Sequence, residues 1–352
     1  MICDMPTTFN NQYRKSTPMQ IVKNTNGSPW LYNLKKIWNP SWFQGSRKRT
    51  GYFEGWYFKL ISQDGAHSFA FIPGISLASG DDHSFVQAIN GKTGESWYIR
   101  FPLEAFSYSN KGFYVEVDNN SFSTKHITLN IENEKLNVSG TVKWFDPIVF
   151  KASLRKPGIM GWYRYMPFME CYHGVVSLNH TTSGSLQIND VKHAFDQGKG
   201  YIEKDWGSSM PSSWIWMQSN HFDPSKTSFM LSVAQIPWLK STFTGFLGFL
   251  FCNGRRYDFA TYTGAKVTIR NLSGDTVDLM IISKRFTLEV LADKGASGAL
   301  KAPVGGNMQR VIHESIDASI HLKLKDRHGQ ILFQGTGRNA GLEMVGDVET
   351  LR

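Results

Sequence analysis

Ile127-Thr-Leu-Asn-Ile-Glu132, followed after three residues by Leu136-Asn-Val-Ser-Gly-Thr-Val-Lys-Trp144, places an apolar side chain at nearly every second position. A period of two sends one set of side chains into a core and the other into solvent, the pattern of half-buried antiparallel strands. The same alternation runs through 113–118, 276–290 and 316–324. Turn residues punctuate it at Asn90-Gly91, Asp118-Asn-Asn120, Asn253-Gly254, Ser273-Gly-Asp275 and His328-Gly329. No stretch keeps helical periodicity over four turns. The chain is therefore expected to be all-β, with about sixteen or more strands, too many for one small barrel.

Composition agrees. Of 352 residues, 41% are hydrophobic and 19% charged, a globular balance that argues against a disordered chain. Aromatic residues reach 14%, and with 32 glycines they suit strands and tight turns better than helices. The longest apolar run, 243–252 (FTGFLGFLFC), is about half of what a membrane-crossing helix needs. It reads as a strand buried on both faces or as a membrane-facing lip. Cys3, Cys171 and Cys252 lie far apart without a CxxC pair, which excludes a zinc ribbon or disulfide scaffold and suits a reducing compartment. The polar amino-terminal residues lack a basic-then-apolar leader pattern, so a cytoplasmic location is expected.

Charge is uneven. Residues 1–50 hold eight basic side chains against one acid, Asp4, and so supply +7 of the net +9. Beside Trp30, Tyr32, Trp38, Trp42 and Phe43, these cations suit peripheral contact with an anionic membrane, or form a solvated face with a few docked aromatics. Nucleic acid is not expected as a partner, because no helix-turn-helix, finger or ribonucleoprotein signature accompanies the patch.

A short internal echo links Gly51-Tyr-Phe-Glu-Gly-Trp56 to Gly200-Tyr-Ile-Glu-Lys-Asp-Trp206, with 149 residues between the two glycines, about one barrel's length. Together with the strand count it suggests two successive β-barrels. The expected division is a flexible segment 1–28, a first barrel 29–180 and a second barrel 181–352.

Nucleotide and redox motifs are missing: there is no GxGxxG after a strand, no GxxxxGK[ST], no GxSxG and no HExxH, so neither a cofactor nor a metal is expected. Three segments instead crowd rings around ionisable groups: 52–59 (YFEGWYFK), 161–174 (GWYRYMPFMECYHG) and 198–222 (GKGYIEKDWGSSMPSSWIWMQSNHF). A carboxyl walled by rings loses solvation, its pKa rises, and it becomes a proton donor near neutral pH. Each segment also has a plainer reading. Glu54 can close an ion pair at a barrel base, His173 can be a hydrogen-bonded interior histidine, and Trp214 and Trp216, on one strand face, can be ordinary core. Of Glu203 and Asp205, either side of Lys204, one is expected to face solvent.

At these segments the chain resembles the tocopherol cyclase family. The carrying motifs are Trp42-Phe-Gln-Gly with Tyr52-Phe-Glu-Gly-Trp-Tyr-Phe-Lys, Pro167-Phe-Met-Glu-Cys-Tyr-His-Gly-Val-Val-Ser-Leu, and Gly200-Tyr-Ile-Glu-Lys-Asp-Trp-Gly-Ser-Ser-Met-Pro with Trp214-Ile-Trp-Met-Gln-Ser-Asn-His-Phe. Leu300-Lys-Ala-Pro, His313-Glu-Ser and Gly341-Leu-Glu-Met-Val form a similar tail. The resemblance implies two lipocalin-like barrels and a cofactor-free isomerase that closes a chromanol ring on a prenylated hydroquinone. Such a reaction needs an acid for the alkene, aromatic faces for the tertiary cation, and a base for the phenol. Glu203, in an acid-x-x-Trp-Gly pattern similar to that of related hydratases, or Asp205, is nominated as the acid, with His173 orienting or deprotonating the phenol. Glu54, Trp56, Glu170, Tyr172, Trp206, Trp214, Trp216, Gln218 and Asn220 are nominated to bind the substrate, a hydrophobic prenylated aromatic or isoprenoid molecule. A carrier of such a ligand and a terpenoid hydratase are the alternatives.

Overall fold

Strands that alternate in this way satisfy their backbone groups edge to edge, and a computed structural model of the chain shows, among the described residues, two sheets of thirteen and ten strands, antiparallel but for one two-residue pairing. It describes residues 20–21, 29–223, 226–239 and 241–352. The fold is all-β, as strand counting predicts; among the described residues the single α-helix is Pro29–Lys35. The segment 1–28 lies outside the described residues except for Gln20–Ile21, which pair in parallel with Ser107 and Tyr108.

The first sheet curls into a nearly closed barrel around Trp56, Phe58, Phe69, Phe106 and Phe122. The second packs Phe229, Leu231, Val277 and Leu279 into its own core. A third buried cluster, with Tyr57, Tyr201, Trp214, Trp216, Ile312 and Ile316, lies where the two sheets meet. Strands Tyr52–Ile61 and Gly198–Gly207 are buried along both faces. One face fills the barrel and the other meets the second sheet, which is why these sequences lose the clean polar alternation.

Two sequence expectations change here. The repeated Gly-Tyr-x-Glu segments do not mark equivalent positions in two barrels. They are neighbouring strands of the first sheet, paired antiparallel with Glu203 opposite Tyr57 and Trp206 opposite Glu54. The division near residue 180 falls inside the unbroken strand Cys171–Ile188, and the chain changes sheet between Gly207 and Trp214. The reason is that Gly198–Gly207 bridges 171–188 and 52–61 and is needed to complete the first sheet.

The apolar run 243–252 belongs to strand Ser241–Cys252, flanked on both edges by Ser228–Trp238 and Arg255–Ala260. Phe246, Leu250 and Cys252 enter the second core and Phe249 packs toward the first sheet, so the run from Gly245 on is largely a buried strand, while Phe243 at its start is half-buried. Its hairpin turn, Asn253-Gly254, holds both residues at positive φ, 51° and 71°, as the Asn-Gly sequence demands.

Candidate active site

The face of the first sheet turned to the second carries a row of side chains fixed by register. His173 lies opposite Asp205, and Asp205 opposite Gly55; one step along, Glu203 lies opposite Tyr57. The second sheet answers with Trp216 opposite Glu343 and Glu343 opposite Glu314. Between the rows is a cavity of about 160 Å³, also lined by Phe53, Phe85, Met160, Met169 and Trp214. At about 15 Å³ of such space per water, it has room for on the order of ten water positions, enough for a ring-sized ligand.

The two rows touch. The Tyr57 hydroxyl donates to Glu314 Oε1 at 2.5 Å, and the Tyr57 ring meets Trp216 edge-on at 5.6 Å between centroids. Trp216 fits because residue 341 is glycine: a Cβ there would stand 2.4 Å from the indole.

Two carboxyls facing each other away from water cannot both ionise cheaply. Burial, and to a lesser extent the charge of Glu203, drives Glu314 up to about 7 against the opposing Tyr57 hydrogen bond and Lys59 charge. Burial first, then the charge of Glu314, drives Glu343 well above the usual carboxylate range, although Trp214 Nε1 donates to its Oε2 at 2.5 Å. Glu314 Oε2 is buried without a hydrogen-bond partner among the described residues. The pair therefore retains a proton at neutral pH.

His173 is a different case. Its Nδ1 lies 2.8 Å from Asp205 Oδ1 and its Nε2 3.4 Å from Glu203 Oε2, which also accepts from the Tyr201 hydroxyl at 2.6 Å. Burial opposes the imidazolium, but the two carboxyls outweigh it and hold His173 up to about 10. Replacing Asp205 by asparagine is expected to lower the His173 pKa toward the ordinary value near 6.5. An NMR titration of the imidazole protons checks this, and an unmoved midpoint contradicts the arrangement. His173, Glu203 and Asp205 bring one ligand atom each within 4.8 Å of one another, as a divalent cation would need. A protonated imidazole is no ligand, however, so a metal must first displace that proton.

Not every residue nominated from sequence comes here. His173, Glu203, Asp205, Trp214 and Trp216 line the cavity, with Glu203 and Asp205 on the same side of their strand. Glu54, Trp56, Tyr172 and Trp206 point the other way, toward the barrel, because they alternate with the cavity-facing positions. Glu54 takes the plainer role, an ion pair with Lys204 at 2.5 Å, both fully buried. Tyr172 stacks on Trp206, 5.6 Å apart. Glu170 precedes the strand, and its carbonyl receives the Ser208 amide at the crossover between sheets. Gln218 and Asn220 do not line the cavity; Gln218 accepts from Lys59 Nζ at 3.0 Å and Asn220 donates to the Gly200 carbonyl at 2.8 Å. Lys59 is fully buried and burial pushes it down to about 7. Tyr57, Glu314 and Glu343 lie inside the motifs that carry the resemblance but are not nominated as site residues. A signal existed: Glu314 occupies the apolar phase of Ile312-x-Glu-x-Ile316, where a carboxyl has no ordinary reason to be.

The chain is similar to known proteins. The family described as tocopherol cyclase-like matches residues 135–346, more than half of the chain and including His173, Glu203, Asp205, Glu314 and Glu343. A chloroplastic tocopherol cyclase of Zea mays is 22% identical over 204 residues, 53% of this chain and 41% of that protein. A probable chloroplastic tocopherol cyclase of Oryza sativa subsp. japonica is 23% identical over 203 residues, 53% of this chain and 42% of that protein. The match thus spans about two fifths of these relatives' length. Similar solved structures include a putative AttH from Nitrosomonas europaea, with a TM-score of 0.50 at 14% identity over 84% of this chain and 92% of that one. CghA with Sch210972 gives 0.52 at 10% identity over 84% and 89%. At these identities the structures speak for the fold, a lipocalin-like one.

Proposed function

The chain belongs to the tocopherol cyclase-like family, and from that membership and the cavity's chemistry we propose an enzyme that closes an oxygen-containing ring on a prenylated hydroquinone. One feature carries the reading: a buried carboxyl pair, Glu314 and Glu343, both held above the ordinary carboxylate range by burial, lines a cavity walled by aromatic rings. In this reading the acid is that pair and not Glu203 or Asp205, which are engaged with His173.

The Glu343 O–H bond breaks as its proton forms a C–H bond at the less substituted alkene carbon. The tertiary cation left on the neighbouring carbon is held against the faces of Trp214 and Trp216, where water is scarce. The phenol oxygen, oriented by the His173 imidazolium, forms the C–O bond, and its proton passes to the Glu314–Glu343 pair. Atoms balance without water, oxidant or reductant, and the pair returns to its starting state.

Incubation of the purified chain with a panel of prenylated hydroquinones, read by liquid chromatography and mass spectrometry, tests the proposal. A product of unchanged mass and shifted retention is the expected result. A gain of one water makes the protein a hydratase of the same alkene. Ligand recovered unaltered from a stable complex makes it a carrier. Either of these overturns ring closure.

A further inference from the structure

A second, smaller cavity adjoins the first. It shares Met160, Met169 and Leu247 with the first and continues through Phe246 to Tyr163 and Phe243, with an added volume of about 60 Å³. Tyr163 and Phe243 are half-buried, and their rings touch a cluster at the surface. Tyr163 stacks on Trp162 at 4.1 Å and meets Trp238 at 5.7 Å; Phe168 meets Trp238 at 5.1 Å. Trp162 is 43% exposed, Phe168 51% and, at the adjoining hairpin tip, Leu239 85%. Folding gains nothing by leaving such side chains together in water. The segment leading into Trp162 and Phe168 also has a charge sign, and its Leu154 carbonyl accepts from the Tyr165 hydroxyl beside them. From 147 to 169 the sequence holds no acid but four cations, of which Lys151 and Arg155 are exposed and form no ion pair among the described residues.

We propose that this face, with Trp162, Phe168 and Leu239 inserted and Lys151 and Arg155 at the headgroups, docks on an anionic bilayer, and that a lipid-tailed substrate enters the larger cavity through the smaller one at Tyr163 and Phe243. Aromatic and aliphatic tips flanked by cations match the interface of an anionic leaflet. The proposal rests on the reading of the cavity as a site for a prenylated substrate. Of the two membrane contacts expected from sequence, residues 1–50 and the 243–252 run, it replaces the second, whose Phe246, Leu250 and Cys252 are buried, with the loop and hairpin tip at the cavity mouth beside the half-buried Phe243.

Flotation with phosphatidylcholine vesicles and with vesicles of equal parts phosphatidylcholine and phosphatidylglycerol tests it. The chain is expected to float with the anionic vesicles and weakly with the neutral ones. Combined Trp162→Ser, Phe168→Ser and Leu239→Ser changes should lower binding at least about tenfold. Lys151→Gln with Arg155→Gln should lower it about thirtyfold on anionic vesicles only. All variants should keep wild-type turnover on detergent-dispersed substrate, which separates failure of docking from failure of the catalytic reading. Equal flotation of wild type and variants overturns the proposal. So does wild type that binds neither vesicle, or a wild-type dimer in light scattering that the serine variants make monomeric, which would show a second copy covering the face.

Discussion

Glu343→Gln is expected to lower the rate of ring closure by about a thousandfold while leaving substrate affinity and fold intact. General acids contribute on the order of a hundredfold to ten-thousandfold, and glutamine mimics the shape and neutrality of a protonated glutamate but has no acidic proton. Single-turnover mass spectrometry with a saturating prenylated hydroquinone measures the loss. The pH profile identifies the donor. The acid works protonated, so the rate is present below the pair's apparent pKa and is lost above it, the pair titrating as a unit. Glu314 itself is held up to about 7. Because the charge of Glu314 helps to raise Glu343, Glu314→Gln should shift the falling limb toward acid. Glu203→Gln and Asp205→Asn should act mainly through His173; because their charges also help to raise the pair, they should shift the limb in the same direction but by less than Glu314→Gln does. If Glu343→Gln retains wild-type rate, the acid is elsewhere.

The second large effect concerns stability. Glu54→Ala is expected to cost roughly 3–5 kcal/mol, because it strands the fully buried ammonium of Lys204. More than the ion pair is lost. Glu54 also accepts the Gln44 and Gly45 amides at 2.8–3.0 Å and the Tyr52 hydroxyl, while Lys204 Nζ donates to the Pro40 and Trp42 carbonyls. Together they bind 40–45 across one end of the barrel. Burial pushes Lys204 down to about 8 although Glu54 opposes it. A lysine depressed in this way penalises the folded state in full below that value and progressively less as pH rises from it toward the unfolded value of about 10.4, because over that range the folded lysine is neutral while the unfolded one still holds a proton that folding releases. With Glu54 removed the depression deepens, so the variant should recover stability toward alkaline pH. Urea unfolding at several pH values measures both effects. A Glu54→Ala chain within 1 kcal/mol of wild type, on the order of an exposed pair, would show that the pair is not sealed.

How much of this was legible beforehand follows from what each pattern encodes. Alternation with period two is a local property, so the all-β class and turns such as Asn253-Gly254 could be read directly. The crowding of rings around Glu203, Asp205 and His173 could be read too, because such residues sit poorly on an ordinary strand. Facing was harder. Tyr52–Ile61 and Gly198–Gly207 are buried on both sides, so Glu54 and Trp206 carry the same signal as Tyr57 and Glu203 while serving the opposite face.

The sequence by itself determined the strands, their turns, the family resemblance and a set of ring-walled ionisable groups. Only the tertiary structure decided that Glu314 and Glu343, far along the chain from Tyr57, share a row and face it across the cavity. Their retained proton has no local cause. It arises from burial between two sheets and from two carboxyls brought opposite each other, and pairing of distant strands is what creates both conditions.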